Sequence, residues 1–355
     1  MTLTKEGTAS MRLHRLLLLI PFLFCMTGLS LAQDETQSDS LYIVATTTQA
    51  SDAARLLTQG ADHVVVTPLM GAGVDPHLYQ PTESDIAAMG HADMVVYSGL
   101  HLEGQFDTVF EALGEQGLVI VAVSQPVKNM GYVIGGFDLS EELQNVDDPH
   151  FWFDPRNWEL SVTHLAERLT DLDPDHADLY QANAAAYAQQ LEAIFEWANE
   201  AMRTVPEGQR YLVTSHDAFQ YFGGAFGWEM VSVQGLSTQD EAGVGDIQEV
   251  VNFIIDNDIP VVFVESSLPP DTVEAVIAAV EDEGATLRIG VRELYSDAMG
   301  EPGKFGGTYI GMIAENVYTI LQSYQCAGVD LTIPSWPDDI DITPPQDLLN
   351  VNCDA

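Results

Sequence analysis

The sequence predicts an α/β protein of two lobes, each with a four-stranded, mainly parallel sheet flanked by helices, joined by one long helix. Three observations lead there. Two sets of four runs rich in Val, Ile and Tyr recur along the chain with helix-compatible or loop segments between them, the alternation expected of parallel sheets. One long amphipathic stretch separates the two sets. At 355 residues, 46% of them hydrophobic, the chain is too long for one small core and suits two domains of ordinary size.

The first 32 residues stand apart from this pattern. Lys5, Arg12 and Arg15 precede the apolar run "LLLLIPFLFCMTGLSLA", which ends at Ser30-Leu31-Ala32 before polar "QDETQSDS". That arrangement reads as a signal peptide over residues 1–32, cut after Ala32, and Met11 as an alternative start leaves the cleavage unchanged. Cys25 follows Phe24 instead of a small residue, which argues against a lipid-bearing cysteine. No second long apolar run follows, so no membrane span is expected. The expected location is periplasmic or extracellular.

Processing there would remove Lys5, Glu6, Arg12 and Arg15, leaving 9 basic against 53 acidic side chains, a formal charge of -44. Such a surface repels nucleic acid and anionic lipid, so neither is expected as a partner, and it enriches cations near any cleft it lines. It equally suits a solvated surface in a salty medium, where screening over about 8 Å at 0.15 M removes most self-repulsion.

The strand-like runs of the first lobe, residues 33–172, are "LYIVATTT", "HVVVTPLM", "DMVVYSG" and "VIVAVS"; those of the second, residues 206–325, are "YLVTSH", "EMVSVQG", "PVVFVESS" and "LRIGVREL". In the linking segment 173–205, Tyr180, Ala184, Tyr187, Leu191, Ile194, Phe195, Ala198 and Met202 fall on one helical face. Asp173 can cap this helix, Pro174 suits its first turn, and Pro206 and Gly208 end it. About 30 residues at 1.5 Å each give a rod of roughly 45 Å. A helix is a stiff linker, so the lobes are expected to move little. Residues 326–355 form an acidic, Pro-rich tail flanked by Cys326 and Cys353, which in an exported protein are expected to pair.

No HExxH, GxSxG, Walker loop or GxGxxG after a strand is present. What remains is polar residues at strand ends, where open α/β sheets collect ligands. His77 follows the second strand and a Gly-rich turn, His216 closes "YLVTSH", and Asp297 follows the last strand of the second lobe. His150, in "DDPHFWFDP", joins them and repeats the Asp-Pro-His of "GVDPHLYQ". Three imidazoles and a carboxylate can complete a four-coordinate zinc site, and Pro76 and Pro149 stiffen the approaches to two of the rings. Asp75 and Asp148 are read as turn and electrostatic support, not as ligands. The plain alternative is a strand cap, two polar loop histidines and a turn former. His63, His91, His101, His164 and His176 are read as solvated or core-satisfied.

The blocks "GVDPHLYQPTESDI", "YSGLHLEGQFD", "DPHFWFDP", "TSHDAFQYF", "GLSTQDEAGVGDIQEV", "FVESSLP" and "LYSDAMG" with "GGTYIGM" stand in one order between about Leu41 and Gln325. Through them the chain resembles the zinc- and manganese-binding solute-binding proteins of ABC transporters, the ZnuA- and TroA-like family. The resemblance implies a helical-backbone metal receptor whose ligands fall on His77, His150, His216 and Asp297. It also implies a membrane permease as partner, a monomer, and no catalysis. ZnuA-like zinc binders carry a His-rich acidic loop, whereas "SQPVKNMGYVIGGFDLSEELQNVDD" holds no histidine, placing this chain nearer the TroA-like branch. Manganese-dedicated members commonly have glutamate as the third ligand; His216 here gives three nitrogens and one carboxylate, a set that suits Zn²⁺ better than Mn²⁺. Manganese or mixed binding, a surface adhesin or interaction protein, and a zinc hydrolase are the alternatives. The hydrolase needs a base beside an open coordination position. Glu265 is the candidate, although hydrogen bonding to a ligand is its more natural role.

Overall fold

Short runs of β-branched residues between Thr, Asp and Gly punctuation produce the strands. In the computed structural model, which describes residues 40–137, 144–239 and 242–353, the first lobe opens with β1 (Leu41–Ala45), α1 (Thr48–Leu57), β2 (Val64–Pro68), α2 (Glu83–Gly90), β3 (Met94–Tyr97), α3 (Asp107–Glu115) and β4 (Val119–Ala122). The signal-peptide reading and Cys25 lie outside the described residues. The four strands form one parallel sheet in the order β2-β1-β3-β4. Both faces of this sheet are covered: Ile43, Ala45, Met94, Val96 and Val121 enter the main core, and Val44, Val95, Phe106 and Phe110 a second cluster. Covered faces explain why the strands read as unbroken apolar runs. The Thr47 side chain accepts the Ala50 N–H to cap α1, and Thr82 with Asp85 forms a capping box on α2.

After α4 (Gln125–Met130) comes a two-stranded antiparallel pair, β5 (Gly135–Phe137) and β6 (Val146–Asp147), which the sequence reading does not contain. It is too short, and too rich in Gly, to show an apolar alternation. Two long helices follow, α5 (Pro155–Leu172) and α6 (Ala177–Met202), packed along one another. Asp154 caps α5 and Pro155 occupies its first position.

The 26 residues of α6 span about 39 Å, somewhat less than the expected rod, because residues 174–176 form a separate 3₁₀ turn and the helix ends before Pro206. Tyr180, Tyr187, Leu191, Ile194, Ala198 and Met202 are buried as expected; Trp197 and Ala201 join them because neighbours cover more than one side of the helix.

The second lobe contains β7 (Tyr211–Thr214), α7 (Gln220–Phe226), β8 (Glu229–Ser232), α8 (Val244–Asp256), β9 (Val261–Val262), α9 (Asp271–Asp282), β10 (Arg288–Ile289) and α10 (Tyr309–Cys326). β7 pairs with β8 and β9 with β10, all parallel. The Phe263 N–H donates to the Val213 carbonyl at 2.9 Å and joins the two pairs. The resulting order β8-β7-β9-β10 repeats the pattern of the first lobe. The last two strands are much shorter than the runs at 260–267 and 287–294 suggest. Their ladder lapses after Ile289 and resumes only as a Glu265–Leu294 bridge.

The tail is integrated into the fold. Trp336 packs edge-on to Trp197 with ring centroids 5.1 Å apart, Ile340 and Leu348 are buried, and a short helix, α11 (Gln346–Leu349), precedes the Cys326–Cys353 disulfide.

Candidate metal centre

Each site residue sits where regular structure stops. His77 lies in the segment between β2 and α2, His150 just before the 3₁₀ turn Phe151–Phe153, His216 two residues beyond β7, and Asp297 three beyond the Glu265–Leu294 bridge. The structure brings all four side chains together, with one ligand atom of each within 4.8 Å of the others. All are buried, His77 at 3% exposure being the least so.

The separations carry chemical information. His77 Nε2 is 3.3 Å from His150 Nε2, and Asp297 Oδ1 lies 3.2 Å from His150 Nε2, 3.4 Å from His216 Nε2 and 4.0 Å from His77 Nε2. Ligands bonded at about 2.0–2.1 Å to a tetrahedral ion stand about 3.3 Å apart. The group is therefore spaced as a near-closed coordination shell. Asp297 Oδ1 and His216 Nε2 are fully buried and have no aligned hydrogen-bond partner. Buried polar atoms of that kind require an explanation, and an ion between them would supply it.

Outer carboxylates fix the two innermost rings. Asp148 Oδ1 accepts from both the His150 N–H and the ring Nδ1, each at 2.8 Å. Glu265 Oε1 accepts the His216 N–H at 2.9 Å while Oε2 stands 2.6 Å from its Nδ1. With Nδ1 of His150 hydrogen-bonded to Asp148 and Nδ1 of His216 in ion-pair contact with Glu265, each ring turns Nε2 toward Asp297, the arrangement that orients metal-binding histidines. Both Glu265 oxygens face His216, which places this carboxylate behind the ring.

The two Asp-Pro-His turns begin alike and then diverge. Asp75 Oδ1 accepts the His77 N–H at 2.8 Å, as Asp148 does for His150, but Asp75 Oδ2 takes the Thr238 hydroxyl at 2.6 Å. Gln239 also donates to the His77 carbonyl at 3.4 Å. The second-lobe loop at 238–239 thus closes over His77.

Sequence reasoning misses Thr238, Gln49 and Thr48. Gln49 Nε2 donates to the Asp297 carbonyl at 3.1 Å, and the Met299 N–H to Thr48 Oγ1 at 2.9 Å. The only available signal is that Thr238 lies in the block "GLSTQDEAGVGDIQEV"; its partner is 163 residues away.

Burial dominates the electrostatics, and the neighbours decide its outcome. Burial pushes His77 down to about 3, with Asp297 opposing. Burial also works against charge on His150, but Asp148 and Asp297 outweigh it and raise the ring to about 9. Against the same penalty, Glu265 and Asp297 hold His216 well above its ordinary range. Burial would raise Asp297, yet His216, His150 and His77 keep it well below the usual carboxylate range. Without an ion, protons supply the positive charge that the buried carboxylates need.

A second group, His63, Asp173 and His176, also has its ligand atoms within 4.8 Å. The sequence reading treats these histidines as solvated or core-satisfied; the structure gathers them around one carboxylate.

The family model described as zinc-uptake complex component A, periplasmic (ZnuA), matches residues 43–323. The manganese-binding lipoprotein MntA of Bacillus subtilis (strain 168) is 38% identical over 301 residues, covering 84% of this chain and 95% of the relative. The zinc-binding protein TroA of Treponema pallidum (strain Nichols) is 39% identical over 293 residues, covering 82% and 91% respectively. The solved structure of the periplasmic zinc-binding protein TroA from Treponema pallidum superposes with a TM-score of 0.73 at 39% identity, covering 80% of this chain and 99% of that one.

Proposed function

The chain belongs to the ZnuA family of metal-binding receptors that serve ABC transporters, not to a family of enzymes, and from that premise we propose that it captures Zn²⁺ with His77, His150, His216 and Asp297 and delivers it to the transporter's permease. The observation that carries this reading is the pair of outer carboxylates, Asp148 and Glu265, each engaging Nδ1 of a ring whose Nε2 points at Asp297. Such a shell stabilises the bound form of imidazole and fixes its direction before an ion arrives.

Three nitrogens and one carboxylate at tetrahedral spacing favour Zn²⁺, whereas Mn²⁺ prefers more oxygen donors and six-fold coordination. Relatives of nearly equal identity are named for manganese and for zinc, so Mn²⁺ is the second reading. Among the described residues no helix is long and apolar enough to cross a membrane. The apolar leader, and relatives named as a lipoprotein and as a periplasmic protein, support an exported receptor.

The test is a competition titration of the metal-stripped mature chain with Zn²⁺ and Mn²⁺. We expect tight binding of one Zn²⁺ in preference to Mn²⁺, and its loss in His77→Ala and Asp297→Ala. If neither ion binds below micromolar, or if these variants bind as well as the parent, the reading is wrong; preference for Mn²⁺ overturns the choice of zinc alone.

A further inference from the structure

His63 immediately precedes β2, at the edge of the first sheet opposite the one carrying His77. Its carbonyl accepts the Leu41 N–H at 3.0 Å, which fixes the residue to the start of β1. Asp173 ends α5 through its N–H to the Leu169 carbonyl at 2.8 Å, and His176 closes the 3₁₀ turn that opens at Asp173. Three rigid elements thus bring two imidazoles and one carboxylate to one point.

His63 Nε2 and His176 Nδ1 each stand 2.9 Å from Asp173 Oδ2, and the two rings lie 4.2 Å apart, centroid to centroid. The Tyr180 hydroxyl, on a fully buried side chain, donates to the same oxygen at 2.6 Å and orients the carboxylate from behind. Side-chain exposures of 17% for His63, 15% for Asp173 and 43% for His176 leave one side open to water.

We propose that His63, Asp173 and His176 form a second, solvent-open site for a divalent cation that favours imidazole, Zn²⁺ foremost. Three protein donors with an open position filled by water is an ordinary zinc arrangement. Each nitrogen needs to part from the carboxylate oxygen by only a few tenths of an ångström to reach the roughly 3.3 Å spacing of a tetrahedral shell. Burial would raise the Asp173 carboxyl, but hydrogen bonds from Tyr180, His176 and His63 hold it below the usual range, so it is anionic at neutral pH. The strongly acidic chain enriches cations at such an opening. With three protein donors and water access, this site binds more weakly than the buried quartet and does not depend on it.

Equilibrium dialysis of the untagged, metal-stripped mature chain against Zn²⁺ tests the proposal. The parent protein is expected to take up a second, weaker equivalent, which His63→Ala/His176→Ala loses while the tight step stays unchanged. His63→Asn/His176→Asn, which retains polar partners for Asp173, is expected to lose the same equivalent and guards against misfolding in the alanine pair. His216→Ala should do the reverse, losing the tight step and keeping the weak one. A zinc-edge anomalous peak among the three side chains would place the ion. A single equivalent in the parent at saturating Zn²⁺, or a second equivalent that survives both double variants, overturns the proposal.

Discussion

Glu265 meets His216 twice, accepting its backbone N–H at 2.9 Å and pairing in charge with its ring Nδ1 at 2.6 Å. Both residues are fully buried, so the carboxylate sets the ring's direction and also offsets the charge the ring carries. Glu265→Gln preserves the shape and one acceptor but removes the anion. Loss of an outer partner of this kind costs about 10–100-fold in metal affinity. We expect that loss for Zn²⁺ with circular dichroism unchanged; an unaltered affinity in a chelator competition assay would show that Glu265 does not tune the site.

Ion capture should expel protons. His150 sits near 9 and His216 well above its ordinary range in the ion-free protein, because Asp148 and Asp297 around the first and Glu265 and Asp297 around the second outweigh burial. Both rings carry protons at neutral pH and must shed them to coordinate, since only neutral imidazole binds a metal. Acid therefore favours release, and apparent affinity rises with pH by up to about 100-fold per unit while both protons are displaced. Calorimetry at pH 7 in buffers of different ionisation enthalpy should report about two protons released per ion. Release of none would contradict the charge arrangement.

The disulfide is a matter of stability and not of the site. Cys326 and Cys353 close a loop across a sequence separation of 27, worth about 3–4 kcal/mol on the chain-entropy model. Cys326→Ser/Cys353→Ser should lower the unfolding free energy by about that amount. Zn²⁺ affinity should remain at the parent value. A fall in affinity beyond the error of the titration would show that the tail braces the quartet.

Asp52 gives a separate pH signature. It accepts the Tyr309 N–H at 3.0 Å, and burial lifts its carboxyl to about 6 despite that bond and the nearby Arg55. The folded state therefore holds this proton more tightly than the unfolded chain does. Its contribution is full below the unfolded value near 4 and is lost as pH rises through about 6. Asp52→Asn retains an acceptor for Tyr309 and should flatten this part of the stability curve, a gain of about 3 kcal/mol at pH 7 relative to the parent. Denaturant melts at pH 4 and pH 7 measure it; parallel curves for the two proteins would refute the assignment.

The alternating apolar runs make both sheets legible in the sequence, because strands covered on two faces must be continuously apolar. The pair β5–β6 leaves no such trace: Gly135, Gly136 and two isolated residues, Val146 and Asp147, have no face to alternate. The positions of His77, His150, His216 and Asp297 are legible as polar residues at strand ends, and their order among the blocks suggests that they act together. The bonds that position them are not legible. Asp75 to Thr238 and Gln49 to Asp297 join residues 163 and 248 apart, and only the completed fold brings them into contact. The group His63, Asp173 and His176 is hidden for the same reason: His176 is three residues from Asp173, but His63 is 110 away.

The hydrogen bonds from α1 to the Asp297 segment bear on how the carboxylate donor is held. Gln49 holds the Asp297 carbonyl, Thr48 the Met299 N–H and Asp52 the Tyr309 N–H, so a segment that belongs to the second lobe by sequence is fastened to the first. Mechanically it is a clasp. The same segment stays tied to the second lobe through the Glu265–Leu294 bridge and the Ser267 hydroxyl on Asp297 Oδ2, so Asp297 is held from both sides of the cleft. Asp297 thereby answers to both lobes at once, whereas His77 and His150 come from the first and His216 from the second.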